Sequence, residues 1–275
     1  MDKKAPGADL DHLDTIPCRP RKVRADASAG KLTVSWPPGM LAAGLPSPNC
    51  PSCGTSDELP MNTAMRGRGW TRMIFYEPHR RDKSILSHDP FKALIAPRPI
   101  GWVSTIGKTG AVNLAPYSFF NAVADTPPML AFSSNGKKDS QTFAEETGEF
   151  VWNMPTWELR EKMNITSASF PQGDNEFPHA SLEMAPCRLV KPPRVAESPC
   201  SLECRVTHVV PLKDIEGNPC INTIIVGQVV GVHLDEAYID AKGLIEITRM
   251  KPIARCGYLA DYTVLDELFQ MRRPA

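Results

Sequence analysis

The sequence predicts a mainly β protein, a barrel with few helices, and three observations carry that prediction. From Met73 onward, short apolar or alternating runs of strand length are separated by Gly, Pro, Asn and Asp, which is the punctuation of strands and turns. Only two segments carry a helical signature. The two longest strand candidates are joined by Lys213-Asp-Ile-Glu-Gly-Asn-Pro-Cys220, a stretch rich in turn formers that predicts a long hairpin. Many strands with few helices pack as a barrel.

The first 72 residues have a different texture. They hold nine prolines and seven glycines but only nine Leu, Ile, Val and Phe together, too little apolar surface to offset the entropy of ordering the chain. A mostly disordered extension is expected over 1–72 and a folded domain over 73–275. Leu32-Thr-Val-Ser-Trp36 alone suggests a short, isolated strand, stopped by Pro37-Pro38. The extension is either an interaction arm or dispensable to the fold, and Met73, which opens a segment like a natural domain start, favours the second.

Within the domain, strands are expected near 99–106, 111–117, 129–134, 149–154, 186–191, 200–212, 221–234 and 252–256. Helices are expected over Ser140–Thr147, with Asp139 as N-cap, and over Thr156–Met163. Gly227 and Gly231 weaken the long strand 221–234 locally and permit curvature or close approach of another backbone.

Lysine plus arginine equals aspartate plus glutamate at 31 each. Such a balance provides no long-range field toward nucleic acid or an anionic membrane, and the scattered basic residues lack an aromatic stacking platform. No apolar run is long enough to span a bilayer, and no signal peptide opens the chain, so a cytoplasmic location is the default expectation. The eight cysteines are expected as reduced thiols. Cys50-Pro-Ser-Cys53 has the spacing of half a zinc site, but only Cys18 and His12 stand near enough in sequence to complete it, so no metal site is expected.

Two stretches carry candidate chemistry. In Pro97–Asn121, two strands around a Gly107–Gly110 turn present Ser104, Thr105, Asn113 and Ser118 beside backbone N–H groups, which suits a flat heterocycle with polar edges. The same hydroxyls equally suit cross-strand hydrogen bonding. In Ala131–Thr142, a strand ends in a polar loop that runs into a helix, where amide donors, the helix dipole and Lys137 or Lys138 favour a phosphate. An ordinary capped helix with solvated lysines fits that local sequence as well. His233, on an apolar strand, reads first as a hydrogen-bonded structural residue.

The segments 90–105 (Pro-Phe-Lys-Ala-Leu-Ile-Ala-Pro-Arg-Pro-Ile-Gly-Trp-Val-Ser-Thr), 113–121 (Asn-Leu-Ala-Pro-Tyr-Ser-Phe-Phe-Asn), Pro127-Pro-Met-Leu130 and Lys138-Asp-Ser140 resemble the flavin reductase-like FMN-binding split-barrel proteins. Collinear similarity continues through 148–153, 174–177, 193–199, 202–204, 226–233 and 255–258. The resemblance implies a six-stranded antiparallel split barrel that forms a homodimer, with FMN at the barrel edge near the subunit interface. It also implies cofactor contacts from Ser104, Thr105, Asn113 and Ser118, from main chain near Ala115 and Pro116, and on the phosphate side from Lys138 and Ser140. Arg255-Cys-Gly-Tyr258 departs from the family's Arg-Leu-Gly-Gly pattern, and a buried structural role is expected for Tyr258 and Tyr262.

The activity implied is that of an oxidoreductase taking hydride from NADH or NADPH and passing electrons to a free flavin, a partner protein or a small acceptor. Such chemistry needs no catalytic triad, because the flavin carries it and the protein binds and orients. A flavoredoxin-like electron carrier, or a split barrel holding haem or no cofactor, shares the fold with a different role.

Overall fold

The computed structural model describes residues 22–26, 31–35 and 73–274, so the composition-based expectation for most of 1–72, and Cys50-Pro-Ser-Cys53 with it, lies outside the described residues. The chain divides into two units, with the boundary between Glu77 and Pro78. In the first, β1 (Lys22–Asp26) and β2 (Lys31–Ser35) pair antiparallel. The strand expected over 32–36 is therefore present but not isolated.

The second unit contains, in order, α1 (Phe91–Leu94), β3 (Arg98–Pro99), β4 (Gly101–Ile106), β5 (Val112–Tyr117), β6 (Phe120–Asp125), β7 (Pro128–Asn135), α2 (Asp139–Thr147), β8 (Glu149–Asn153), α3 (Arg160–Ile165) and α4 (Glu176–His179). It continues through β9 (Met184–Ala185), β10 (Arg194–Val195), β11 (Cys200–Lys213), β12 (Pro219–Leu234), α5 (Ile247–Met250), β13 (Ile253–Arg255) and β14 (Tyr262–Val264). Seven strands form one antiparallel sheet in the order β5-β4-β8-β11-β12-β7-β6.

This order forces closure. The two edge strands, β5 and β6, are joined by only Ser118 and Phe119. Three Cα steps span at most about 11 Å, whereas the edges of a flat seven-stranded sheet would stand about 29 Å apart. The sheet must curl until its edges meet, which makes it a barrel, and the absence of a β5–β6 ladder leaves it split there. The amide of Ser133 on β7 donates to Phe119 O at 2.8 Å and fixes the corner. The sheet carries one strand more than the six expected, and that strand is β6.

Every strand of the sheet sends apolar side chains inward: Val103, Tyr117, Phe120, Phe132, Phe150, Cys204 and Ile225 pack together, with Ala144 of α2 among them. Outside β4 and β5 a second core gathers Trp102 and Leu114 with Met163 and Leu159 beside α3, Phe177 of α4, and Val195. Strand β4 is thus buried on both faces, which accounts for its unbroken Gly-Trp-Val-Ser-Thr run.

Gly227 and Gly231 make room for side chains rather than for another backbone. A Cβ on Gly227 would lie 2.3 Å from the Phe150 ring, and one on Gly231 would lie 3.2 Å from the Glu203 carboxyl carbon. Glu203, on β11 and fully buried, accepts from the amides of Arg188 (2.8 Å), Leu189 (2.6 Å) and Val190 (3.0 Å) and pairs with His233 Nε2 at 2.6 Å. Burial pushes its pKa up, but the Arg188 amide, His233 and the Leu189 amide together outweigh that and hold it below the usual carboxylate value. The strand expected over 186–191 is absent because its amides are spent on this carboxylate. His233 is hydrogen-bonded, as the sequence suggests for a strand histidine, and it also lines a cleft beside Glu203. Cys187 offers a third ligand-type atom within 4.8 Å of those of Glu203 and His233. Its thiol, pushed up to about 12 first by burial and then by the Glu203 charge, stays protonated at neutral pH.

Two helical boundaries differ from expectation. Lys138, not Asp139, is the N-cap of α2, and it makes no side-chain cap; Asp139 instead accepts from the Gly173 amide at 2.6 Å. Thr156 and Leu159 form a turn before α3, which starts at Arg160. The five cysteines among the described residues are free thiols, as expected.

Adding a methyl group at Gly227 drives it into Phe150, and overpacking of this kind costs about 1–3 kcal/mol. Gly227→Ala is expected to lower the denaturant midpoint accordingly, and Phe150→Leu in the same chain is expected to recover part of the loss.

Candidate functional site

A cleft of about 390 Å³ opens where the C-terminal half of β5 meets the start of α2 and the loop 166–172. That volume falls in the range of small-molecule sites. Its floor is a chain of buried polar groups. Asn113 donates through Nδ2 to Glu176 Oε1 at 2.7 Å and accepts through Oδ1 from the Ser140 hydroxyl. Glu176 Oε2 accepts from the Leu114 amide at 2.7 Å. The Tyr117 phenol lies within hydrogen-bonding reach of Ser140 and Ser134, and burial, partly offset by those hydroxyls, pushes its pKa up, so it remains a proton donor.

Local sequence explains how these groups meet. Residues 113, 115 and 117 share one face of β5, the face toward α2, because strand side chains alternate. Asn175 caps α4 by accepting from the Phe177 amide at 3.1 Å, and that cap sets Glu176 over β5.

The opening of the cleft carries two lysines, two carboxylates and the start of α2. The first amides of α2 receive no capping side chain, and such orphan donors with the helix dipole favour an anion. Lys137 and Lys138 flank them; Lys137 pairs with Glu145 at 3.1 Å, whereas Lys138 has no ion pair among the described residues. The nearby Asp139 carboxylate is turned to Gly173, and burial pushes Glu176 above the usual carboxylate range, partly offset by its hydrogen bonds from Leu114 and Asn113.

Asn113, Ala115, Pro116, Lys138 and Ser140 therefore come together in this cleft. Three other residues named from the sequence do not line it. Ser104 is fully buried on the opposite face of β4, where its hydroxyl donates to Pro193 O at 2.5 Å and accepts from Asn153 at 3.3 Å. Thr105 is buried opposite Asn113, and its hydroxyl has no partner among the described residues. Ser118 lies at the barrel corner and lines a separate cleft. Tyr258 and Tyr262, expected as buried, are 48% and 39% exposed.

Glu176, Tyr117 and the hydroxyl-bearing loop around Ser167 and Ser169 received no role in the sequence reading. The available signal was the Asp174-Asn-Glu-Phe177 segment, whose acidic residues resemble solvated surface.

A glutamine at 176 must aim its NH₂ group at one of two donors, so one bond is lost and about 1–3 kcal/mol of stability with it. Glutamate with a raised folded pKa contributes stability that is fully present below its ordinary value of 4.5 and is lost as pH rises through the folded value. Urea titrations of wild type and Glu176→Gln are accordingly expected to show the largest gap near pH 4.5, narrowing as pH rises; a constant gap would refute the assignment.

Comparison with known proteins agrees with this architecture. The Flavin reductase like domain matches residues 94–250. An uncharacterised protein of Aquifex aeolicus is 39% identical over 169 residues, covering 60% of this chain and 83% of its own. Among solved structures, nitrilotriacetate monooxygenase component B from Bacillus cereus is 30% identical with a TM-score of 0.66, covering 74% of this chain and 100% of its own. Flavoredoxin of Desulfovibrio vulgaris shares the fold at 19% identity and a TM-score of 0.57, covering 64% of this chain and 91% of its own. With its split barrel and the match over 94–250, the chain belongs to the flavin reductase-like family.

Proposed function

We propose that residues 73–275 bind FMN in the cleft between β5, α2 and the 166–172 loop and act as an NADH- or NADPH-dependent oxidoreductase. One observation carries the reading: uncapped amides of a nine-residue helix and Lys138, which has no ion pair among the described residues, open onto a cleft floored by Asn113 and Ser140. This donor set suits a phosphate monoester, and the adjoining Ala115-Pro116 backbone provides an edge along which a planar ring can lie.

When bound, FMN supplies a site for hydride acceptance and the redox chemistry itself. The residues of this chain do the rest. Lys138 and the uncapped α2 amides, that of Ser140 included, hold the phosphate. Asn113, fixed by Glu176, orients the Ser140 hydroxyl. The protonated Tyr117 keeps a neutral donor at the floor. Ser104 and Thr105 act one layer behind: Ser104 ties β4 to the loop at Pro193, and Thr105 backs Asn113 across the β4–β5 ladder.

A homodimer is part of the proposal. Val123 on β6, Val209 and Val210 on β11, and Ile221 on β12 are exposed, separate apolar positions on both faces of the sheet that a second copy can cover. Sedimentation of the full chain is expected to give a two-chain species, and Ile221→Glu is expected to shift it to monomer.

Purified protein incubated with FMN is expected to retain a flavin absorbance band. Lys138→Gln should weaken FMN roughly tenfold, the value of one charge-assisted hydrogen bond, and riboflavin hardly at all. Equal losses for both would sink the phosphate assignment. Anaerobic mixing with NADH and NADPH decides the activity: bleaching of bound FMN faster than of free FMN supports the reductase, and its absence with both nucleotides leaves an electron carrier.

A further inference from the structure

Strands β3 and β13 pair with Arg98 directly opposite Arg255. Like charges in that register repel, and no carboxylate sits between them. Both line a second cleft of about 320 Å³ with Lys92, His88, Asp89 and Ser118. Arg98 is 5% exposed; one of its terminal nitrogens donates to the carbonyls of Lys92 and Ile95, and its Nε has no partner among the described residues. Arg255 donates to Tyr262 Oη at 2.8 Å and to Leu259 O at 2.7 Å, and its Nε too has no partner among them. All these acceptors are neutral, so among the described residues neither guanidinium charge is paired.

The neighbouring carboxylates are committed elsewhere. Asp89 accepts from the Phe91 amide at 2.9 Å and lies 3.7 Å from Arg81. Asp261 accepts from the Tyr258 amide at 2.8 Å. Lys92 has no ion pair among the described residues, and its ammonium stands 5.9 Å from the Phe119 ring. His88 rests against Tyr258 with ring centroids 5.8 Å apart. Three cations, an imidazole and the Ser118 hydroxyl thus converge on a cavity that holds one acid already engaged. Opposed arginines with a serine hydroxyl match the bidentate recognition of phosphate oxygens.

We propose that this cleft is a phosphoryl-binding site, separate from the cleft assigned to FMN and contiguous with it along the chain, since Tyr117 lines the first and Ser118 the second. The cavity is too small for a whole dinucleotide and takes the phosphoryl end of a nucleotide or free phosphate. Only the link to electron transfer rests on the flavin reading; anion recognition does not.

The test is calorimetric titration of the full chain, saturated with FMN, with ADP and separately with inorganic phosphate at low ionic strength. Saturable binding is expected, weakened roughly tenfold by Lys92→Gln and by Arg255→Lys, and unchanged by Lys138→Gln. Arg255→Lys keeps the charge and loses the fork together with the bonds to Tyr262 and Leu259, whereas Lys92 lies on the surface, so Lys92→Gln decides the site if Arg255→Lys unfolds. ADP binding at least tenfold tighter than phosphate identifies a nucleotide, and equal binding identifies free phosphate. Binding that is lost in Lys138→Gln but intact in Lys92→Gln, or no binding at all, overturns the proposal. If FMN itself fails to bind, the flavin reading falls, and the same titration of the flavin-free chain still decides the phosphoryl site.

Discussion

The whole domain depends on a link of two residues. Because Ser118 and Phe119 join strands that are the opposite edges of one seven-stranded sheet, the sheet has no flat solution. Closure brings a side chain of every strand into one interior, which fills with aromatic rings: Phe132 meets Phe150 edge-on at 5.3 Å and Tyr117 at 4.9 Å. Gly101 and Gly227 mark where the rings of Phe120 and Phe150, respectively, come too close for any Cβ. The split between β5 and β6 is equally a product of the corner, and it sets the far end of β5 beside the start of α2.

Two buried glutamates organise what is attached to the barrel, in opposite electrostatic regimes. Glu203 gathers three consecutive amides and a histidine, its full hydrogen-bonding capacity, and is held ionised. It fastens residues 188–190 to the sheet. Glu176 has fewer donors, and burial dominates, so its charge is the less stable of the two. Beside the proposed phosphate site, such a group limits the repulsion that a firmly ionised carboxylate would exert.

Much of the barrel is legible in the sequence because strand periodicity and turn residues are local signals. The long hairpin 200–234, the Gly107–Gly110 turn and strands β4, β5, β7 and β8 follow from them. Strand β6 was illegible: Asn121 and Asp125 read as loop residues, and its pairing with β7 is decided by closure. Residues 186–191 carry a strand-like pattern that a distant carboxylate overrides. At the site, the helix start and Lys138 could be read locally, as could Asn113 and Ser140. The side of the sheet that Ser104 faces could not, because β4 is buried on both faces and its alternation is silent. Glu176 acts through tertiary contact alone.

The corner has one more consequence. Tyr117 and Ser118 are adjacent residues whose side chains point to different clefts, and the backbone between them is held by the Ser133–Phe119 hydrogen bond. A single peptide unit therefore separates the linings of the two clefts. The two proposed sites thus sit one residue apart in the chain, and any coupling between their ligands acts equally in both directions.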